Sequence, residues 1–522
     1  VGSEMCIRDR NESFSYRPTW LQHAQWLAAY QIGYMYARYM MWNFSGRQND
    51  IPSQGEVQHG NFITGFTVVD EAMLGPQDAL PGYAGKHNPG RNVYWMLPLL
   101  LGAVGFAWMF RAGRRGKGAC GIVTVLFIMT GVAIVVYLNQ GPGEARERDY
   151  SFLGSWMAFS IWIGFGAIGL ARLLRSALAL VIPLAVVAWM GCENFDDHDR
   201  SGRLAASNIA ADVISSVEQD AVIFVDGDNG TFPLWYTQEV EGYRPDVRIV
   251  NLSYLSLPFY SEMMTRRWRK SAPLRISVPG DSLLCGAYAS VRLGSGRDTL
   301  PVAEVMRRAS ERRPINARYT VITLPGGDSA VISLKALSKN GFTLDRQRLM
   351  ILDIVASNAS RPVYWLRSIP SSARFGSDSV TSMWLYGHRF GRLDSGRTDS
   401  LLRVGVESVH APNVIGKDVY MDKTPASQVS AHRVSLLLAA ERLLRDGHAA
   451  AAIEALGKAD GLMGAHPLSY GAMRRHAVPS DTVADVRTEL GILMMEAADT
   501  LDVRARSSAI PVSYTHLTLP TN

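Results

Sequence analysis

The 522-residue chain carries a net charge of only +6 and has no basic stripe with interleaved aromatic residues, which argues against a nucleic-acid partner. Its four cysteines form no CxxC pair and no Cys/His spacing typical of zinc, and the standard nucleotide-binding and hydrolase motifs are missing. The apolar residues are instead concentrated in one region, and this segregation is the main guide to the fold class.

Residues 1–10 and 511–522 are set aside at the two ends of the chain. They contain the strings VGSEMCIRDR and VSYTHLTLPTN, and both resemble translations of the adapter DNA used in sequencing libraries. We exclude these segments from the reasoning about fold. We therefore expect the remainder to be an internal fragment of a longer protein.

Residues 11–92 are predicted to be an extracytoplasmic loop that begins with an aromatic helix. The part up to Phe44 is rich in Trp, Tyr and Met but is interspersed with Gln, His and Arg. This mixture favours a helix at the membrane interface over a helix that spans the membrane. The Gly, Pro, Asn and Asp residues that follow predict an irregular loop.

Four apolar runs between residues 93 and 191 each approach the roughly 20 residues that a helix needs to cross a bilayer. The runs are Val93–Phe110, Gly121–Leu138, Phe152–Leu170 and Ser176–Gly191. The loops after the first and third runs carry basic residues without acids, whereas the loop after the second carries both signs. The positive-inside rule places the two basic loops in the cytoplasm and everything after Cys192 outside. Four core helices of a soluble protein would not explain basic loops at alternate ends.

An extracytoplasmic α/β domain is predicted for residues 192–424. Apolar strands over Ala221–Val225 and Val247–Leu252, with a helix between them, form the strand–helix–strand unit of a parallel sheet. A helix over Leu344–Ala356 and a further strand over Pro362–Leu366 continue this pattern.

Two hairpins complete the prediction for the second half of the chain. The string PGGD at residues 325–328 predicts a β-hairpin turn between two short strands. Residues 425–510 are predicted to be helical, and an alanine-rich helical hairpin there resembles a single tetratricopeptide-like repeat.

Arg146 and Arg148 lie in the loop EARERDY, just before the third apolar run. Guanidinium groups at the bilayer surface form bidentate bonds to phosphate oxygens, so these residues are candidates for the phosphate of a lipid-linked donor. The alternative is a self-neutralising cluster of salt bridges that caps the helix.

An acidic cluster follows the fourth run and contains Asp196, Asp197, His198 and Asp199. Carboxylates beside a histidine can bind a divalent cation or serve acid–base chemistry. The alternative is a solvated cap before the next helix.

Asp226 and Asp228 come at the carboxyl end of the first predicted strand, which is the usual ligand position in open α/β sheets. Their carboxylates could coordinate a metal or accept sugar hydroxyls. The alternative is a tight turn that uses Asp and Gly for their backbone freedom.

Five long segments form an ordered series along the chain. They are MWNFSGRQND (Met41–Asp50), YLNQGPGEARERDYSFLGSWMAFSIWIG (Tyr137–Gly164), ENFDDHDRSGR (Glu193–Arg203), VDGDNGTFPLWYTQEVEGYRPDVRIVNLS (Val225–Ser253) and MILDIVASNASRPVYW (Met350–Trp365). This series resembles the bacterial membrane proteins of glycosyltransferase family 117, which are similar to protein O-mannosyltransferases. Ala145, Phe195 and Gly230 stand where the family pattern leads us to expect proline, tryptophan and aspartate.

The resemblance implies a multi-pass enzyme of the bacterial inner membrane with a GT-C-like fold, of which this chain holds the C-terminal part with about four spans. Such an enzyme transfers a mannose-like sugar from a polyprenyl phosphate to Ser or Thr of an exported protein. The family's catalytic Asp or Glu lies in the first exterior loop, upstream of this chain, so we assign no catalytic residue here.

The expected partners are membrane lipid, the polyprenyl-phosphate sugar and the exported acceptor protein, and the use of a divalent cation stays open. A different class of protein also fits the sequence. It is a non-enzymatic, membrane-anchored module whose exterior domain binds glycan or protein.

Overall fold

The computed structural model describes residues 19–53, 55–82, 84–141, 147–324, 329–375, 380–410 and 423–462. The chain divides into two compact units, Val1–Ser201 and Gly202–Asn522. Arg146 and both segments attributed to adapter DNA lie outside the described residues.

The first unit is mainly helical. Its helices are α1 (Trp20–Gln25), a π-helical stretch (Trp26–Ala37), α2 (Arg38–Phe44), α3 (Thr67–Leu74), α4 (Leu97–Arg111), α5 (Gly113–Thr130), α6 (Val132–Leu138), α7 (Leu153–Leu173), α8 (Val181–Glu193) and α9 (Phe195–His198). Two short strands, β1 (Gly46–Arg47) and β2 (Asn92–Val93), pair antiparallel.

All four apolar runs are helical, but only two of the helices are long and apolar enough to cross a membrane. These two are Gly113–Leu138 and Asp149–Leu173, whereas Leu97–Arg111 and Ala177–Glu193 are shorter. The first run loses length because Trp95 and Met96 have positive φ values, so its helix starts only at Leu97. The length of the helices therefore supports two of the four predicted spans.

Small residues allow α4 and α7 to pack closely. A Cβ atom on Gly105 would overlap the carbonyl of Trp162, and one on Gly166 would overlap the carbonyl of Leu101. Glycines at helix contacts bring two backbones together and increase van der Waals contact, as is common between apolar helices in membranes.

The aromatic helix packs on protein over much of its length. Tyr36, Trp42 and Phe44 are buried in the same core as residues of α7. The Tyr36 ring stacks on Trp156 at 5.2 Å, and its hydroxyl is 2.6 Å from Ser155 Oγ. The aromatic residues of this helix therefore complement the aromatic residues of α7.

Two contacts show which ends of the apolar helices are neighbours. At one end, the Arg172 guanidinium lies 5.9 Å from the Trp108 ring, so the ends of α7 and α4 that carry the basic loops are neighbours. At the other end, the Val93 amide before α4 donates to Glu193 of α8 at 3.0 Å.

The second unit combines helices with three sheets in its described part. Its helices are α10 (Ala205–Ser215), α11 (Asp228–Glu239), α12 (Pro258–Met263), α13 (Gly280–Leu284), α14 (Val302–Ser310), α15 (Leu334–Leu337), α16 (Arg346–Ser357), α17 (Ser395–Glu407), α18 (Lys423–Arg445) and α19 (Ala449–Gly461). Its strands are β3 (Val222–Val225), β4 (Arg248–Asn251), β5 (Ser290–Arg292), β6 (Thr299–Pro301), β7 (Tyr319–Thr323), β8 (Ser329–Ser333), β9 (Thr343–Asp345), β10 (Val363–Leu366), β11 (Thr381–Trp384) and β12 (Gly387–Phe390).

The main sheet has five strands in the order β11-β12-β10-β3-β4, in which β10, β3 and β4 are parallel. The predicted strand–helix–strand unit is confirmed as β3-α11-β4, and the predicted helix and strand that follow are α16 and β10. Alternate residues of β3 enter two different cores, with Ile223 in one and Phe224 in the other. Burial on both faces explains why this strand is a continuous apolar run.

The two predicted hairpins are also present. Strands β7 and β8 pair antiparallel with Tyr319 opposite Ser333, although the turn itself lies outside the described residues. Helices α18 and α19 pack together through the buried side chains of Leu443 and Leu456. The polar break at residues 446–448 separates them, as the sequence predicts.

Candidate functional site

A buried ion pair joins the aromatic helix to the loop before α7. Arg38 Nη2 lies 2.8 Å from Glu147 Oε2, and the two side chains are only 4% and 15% exposed. Glu147 also accepts hydrogen bonds from the Tyr39 hydroxyl and from the Ser53 amide, the latter at 3.0 Å. Arg38 donates further to the carbonyl of Gly60 at 2.6 Å.

The electrostatics of this pair favour a structural role for Glu147. Burial raises the pKa of Glu147, but the hydrogen bond and charge of Arg38, together with the bonds from Tyr39 and Ser53, outweigh it and hold that pKa below its usual value. An ionised carboxylate with both oxygens occupied is poorly suited to accept a proton. The sequence reasoning missed this pair, although a lone arginine in an aromatic helix needs a carboxylate partner once it is buried.

Arg148 lies half-buried next to Glu147 in the sequence. Its backbone N–H donates to the Tyr39 hydroxyl at 3.3 Å. Because Arg146 falls outside the described residues, only one member of the predicted phosphate contact is described. The ion-pair partner of Glu147 is Arg38 of α2, which lies outside the EARERDY loop. The salt-bridge cluster within the loop, which the sequence offers as the alternative, therefore does not include Glu147 as described.

The acidic cluster after α8 separates into inward and outward side chains. Asp197 is 9% exposed, accepts from His198 Nδ1 at 2.6 Å, and lies 3.5 Å from the Asn92 amide nitrogen on β2. Burial raises the pKa of Asp197, and the neighbouring His198 and Arg47 oppose this rise only in part. Asp197 therefore connects α9 to β2.

Asp196 and Asp199 are exposed and bond to nearby backbone. Asp196 accepts from the Asp197 amide at 2.9 Å, and Asp199 accepts from the Ser201 amide at the same distance. Among the described residues, no group of three or more His, Cys, Asp or Glu is placed to hold a metal ion. Both side chains are exposed, but the N-cap residue of α10 is Leu204 and no side-chain hydrogen bond from a described residue caps that helix.

Asp226 and Asp228 lie at the carboxyl edge of the parallel strands, where the sequence predicts them. Asp226 accepts from Ser253 Oγ at 2.7 Å, which connects the segments after β3 and β4. Gly227 between the two aspartates has φ +70°, and Asp228 is the first residue of α11. The predicted tight turn is thus present, and the exposed Asp228 also complements the helix dipole.

Arg348 adds a positive charge to this edge, and sequence reasoning missed it. It lies in the first turn of α16, is 5% exposed, and its Nε and Nη1 atoms have no hydrogen-bond partner among the described residues. Burial lowers the pKa of Arg348, and the charges of Asp345 and Asp226 oppose that effect. The edge therefore carries acceptors and a donor that could together hold a polar ligand.

A second buried polar cluster connects α10 and α18. Asp212 accepts from His410 Nδ1 at 2.8 Å and lies 3.5 Å from His432 Nε2. The His432 ring is fully buried and stacks on Tyr386 at 5.1 Å. Burial lowers the pKa of His432 to about 4, so its ring is neutral near pH 7. The two histidines lie far from Asp212 in sequence, so no local motif indicates the cluster.

The described residues form a mainly helical protein with two candidate membrane helices and a mixed α/β second unit. A family model described as TMEM260-associated domain 2 matches residues 206–316, within the second unit and including Asp226 and Asp228. No curated protein and no solved structure matches the chain.

Proposed function

We propose that the chain is a fragment of an integral-membrane glycosyltransferase of the bacterial inner membrane. The observation that carries this proposal is the match to TMEM260-associated domain 2, because TMEM260 is itself proposed to be a protein O-mannosyltransferase. The enzyme would transfer a mannose-like sugar from a polyprenyl phosphate to Ser or Thr of an exported protein. The catalytic carboxylate would lie upstream of this chain.

Outward apolar side chains support a multi-pass membrane location. Ile122 and Met129 on α5 are 73% and 57% exposed, and Leu184 and Val187 on α8 are 67% and 62% exposed. Contiguous apolar surface of this kind suits lipid contact better than water. We propose that all four apolar helices cross the membrane, with the two short ones accommodated by local thinning of the bilayer, and that the second unit is extracytoplasmic.

The proposed reaction assigns one task to this chain. A carboxylate outside the membrane removes the proton of the acceptor hydroxyl, whose oxygen attacks the anomeric carbon while the lipid phosphate leaves. Arg148, and Arg146 beside it, would contact that phosphate and stabilise its developing charge. The ion pair between Arg38 and Glu147 would hold this loop against the aromatic helix.

The test uses the full-length protein recovered from its gene, with a radiolabelled polyprenyl-phosphate sugar and a Ser/Thr-containing acceptor. We expect Arg148→Ala to reduce sugar transfer roughly 100-fold, as removal of one charge-stabilising donor typically does. Arg148→Lys should recover part of the rate, and Arg172→Ala in the last turn of α7, at the other end of this helix, is the matched control. Normal transfer by a well-folded Arg148→Ala protein would contradict the assigned role.

A non-enzymatic, membrane-anchored module that binds glycan or protein is the second candidate. The edge formed by Asp226, Ser253 and Arg348 favours it, because its carboxylate, hydroxyl and guanidinium groups could together hold a polar ligand such as a glycan. This candidate predicts that the full-length protein binds acceptor but transfers no sugar. It also predicts that Asp226→Asn weakens binding while Arg148→Ala does not.

A further inference from the structure

A stripe of apolar side chains is exposed along α11 of the second unit. Phe232, Tyr236 and Val240 follow one another at intervals of four residues, and they are 47%, 49% and 68% exposed. This spacing puts Phe232 and Tyr236 on one face of α11, and Val240, the C-cap residue in helical conformation, continues that face. A helix that packs only against its own domain buries its apolar stripe, so this apolar stripe is available to something outside the domain.

A basic segment, Arg266–Lys270, lies against the C-terminal end of α11. Glu239 holds it there, because its carboxylate accepts from Trp268 Nε1 at 2.6 Å and pairs with Arg269 at 2.6 Å. All five residues of the basic segment are exposed, and the Trp268 side chain is 41% exposed beside the apolar stripe. Arg267 and Lys270 form no ion pair within the part of the chain that the structure describes.

The two features together have the composition of a membrane-interface surface. Apolar and aromatic side chains enter the boundary between headgroups and acyl chains, and Trp and Tyr are enriched there. Lysine and arginine next to them are attracted by anionic headgroups. An acidic protein surface would complement the basic residues but would not by itself require an adjacent aromatic and aliphatic stripe.

The position of the second unit in the chain favours the membrane as the occupant. Helix α8 ends at Glu193, and the second unit begins at Gly202. A connection of this length spans at most about 30 Å even when fully extended. A domain tethered so closely to a membrane helix meets lipid headgroups at a high effective concentration.

We propose that the second unit docks onto anionic lipid headgroups of its own membrane through the apolar stripe on α11 and the basic segment. This inference rests on the membrane location proposed above. Docking would restrict the position of the exterior domain relative to the bilayer surface, where a lipid-linked sugar is located.

The experiment uses the full chain in lipid nanodiscs, with its native cysteines replaced by serine and an environment-sensitive fluorophore at Val240→Cys. The probe lipids are phosphatidylcholine alone and phosphatidylcholine with phosphatidylglycerol. In the anionic discs we expect blue-shifted emission and quenching by lipid-attached nitroxide, both reduced by high salt. In phosphatidylcholine alone both signals should be weak.

Charge reversal separates this docking from general effects of net charge. Each basic residue near an anionic surface raises the ratio of docked to free protein roughly five-fold. Arg267→Glu with Lys270→Glu should therefore lower this ratio at least about ten-fold. Arg297→Glu with Arg312→Glu makes the same change of net charge at exposed positions outside the basic segment and should have little effect.

Two results would overturn the proposal. One is a signal that is equal in both lipids and unchanged by reversal of Arg267 and Lys270. The other is a blue shift without nitroxide quenching, which would indicate a protein contact instead of lipid. Failure of the proposed membrane location is distinguishable, because the chain would then not incorporate into nanodiscs at all.

Discussion

The two units place their apolar side chains in opposite ways. In the first unit, large apolar residues of α5 and α8 point outwards, as Ile122 at 73% and Leu184 at 67% exposure illustrate. In the second unit, β3 and β10 are buried between two cores, with Phe224 and Trp365 fully enclosed. An apolar stretch of sequence therefore does not by itself predict a buried position. The first unit exposes apolar side chains on its surface, whereas the second unit buries its apolar strands away from water.

Buried titratable side chains also differ between the units. In the first unit, the carboxylate of Glu147 has a charged partner and two further hydrogen bonds. In the second unit, the buried ring of His432 has no hydrogen-bond partner among the described residues. Loss of one partner of Glu147 should therefore lower the stability of the first unit. The stability of the second unit should instead depend on pH through His432.

Removal of Arg38 is expected to have the largest effect on stability. Arg38→Ala leaves the buried Glu147 carboxylate without its counter-charge, which typically costs about 3–5 kcal/mol. Thermal unfolding of the reconstituted protein measures this loss. Adding Glu147→Gln to Arg38→Ala should recover part of it, because the unpaired charge is then gone.

The matched control for Arg38 is Lys86→Ala in the first unit. Lys86 pairs with Asp78 at 2.7 Å, but both side chains are more than two-thirds exposed. Such a pair contributes little in water, so no measurable change in melting temperature is expected. Equal destabilisation by the two variants would mean that burial does not distinguish these ion pairs.

Acidification is expected to destabilise the second unit through His432. Its pKa of about 4 in the folded state is below the ordinary 6.5, so the unfolded chain binds more protons between these values. The stability from the neutral ring is present above pH 6.5 and is lost as the pH falls towards 4, by at most about 3 kcal/mol. Asp212 acts in the opposite sense, since burial raises its pKa.

Denaturant unfolding between pH 7 and pH 4 tests this dependence. His432→Phe keeps a ring that can stack on Tyr386 but cannot titrate, and it should flatten the pH profile in this range. His87→Phe is the control, because that exposed side chain forms no ion pair among the described residues and should leave the slope unchanged. An unaltered slope in His432→Phe would rule out this histidine as the source.

A smaller effect is expected from the close helix contact of the first unit. Gly105→Ala places a methyl group against the backbone of α7 and should destabilise the helix pair by about 1–3 kcal/mol. Gly164→Ala on α7 is the control, because nothing lies within 4 Å of its added Cβ. Thermal unfolding in detergent measures both, and equal stability of the two variants would argue against the close contact.

Local sequence patterns determined much of the secondary structure. The apolar runs became α4, α5 with α6, α7 and α8, and the alternation of apolar runs with turn residues predicted β3-α11-β4 and the hairpin of β7 and β8. Such patterns depend on periods of 2 and 3.6 residues, which neighbouring residues set among themselves. The positions of Asp226 and Asp228 at a strand end followed from the same reasoning.

Only the tertiary structure decided which distant residues meet. Glu147 pairs with Arg38 across 109 positions, β10 inserts beside β3 with Tyr364 opposite Ile223, and Arg348 comes to the edge that carries Asp226. These contacts depend on how whole elements pack and on which buried charges find partners. No periodic pattern in the sequence indicates which distant elements pack together. The local patterns indicate only the helices and strands named above, because these depend on neighbouring residues.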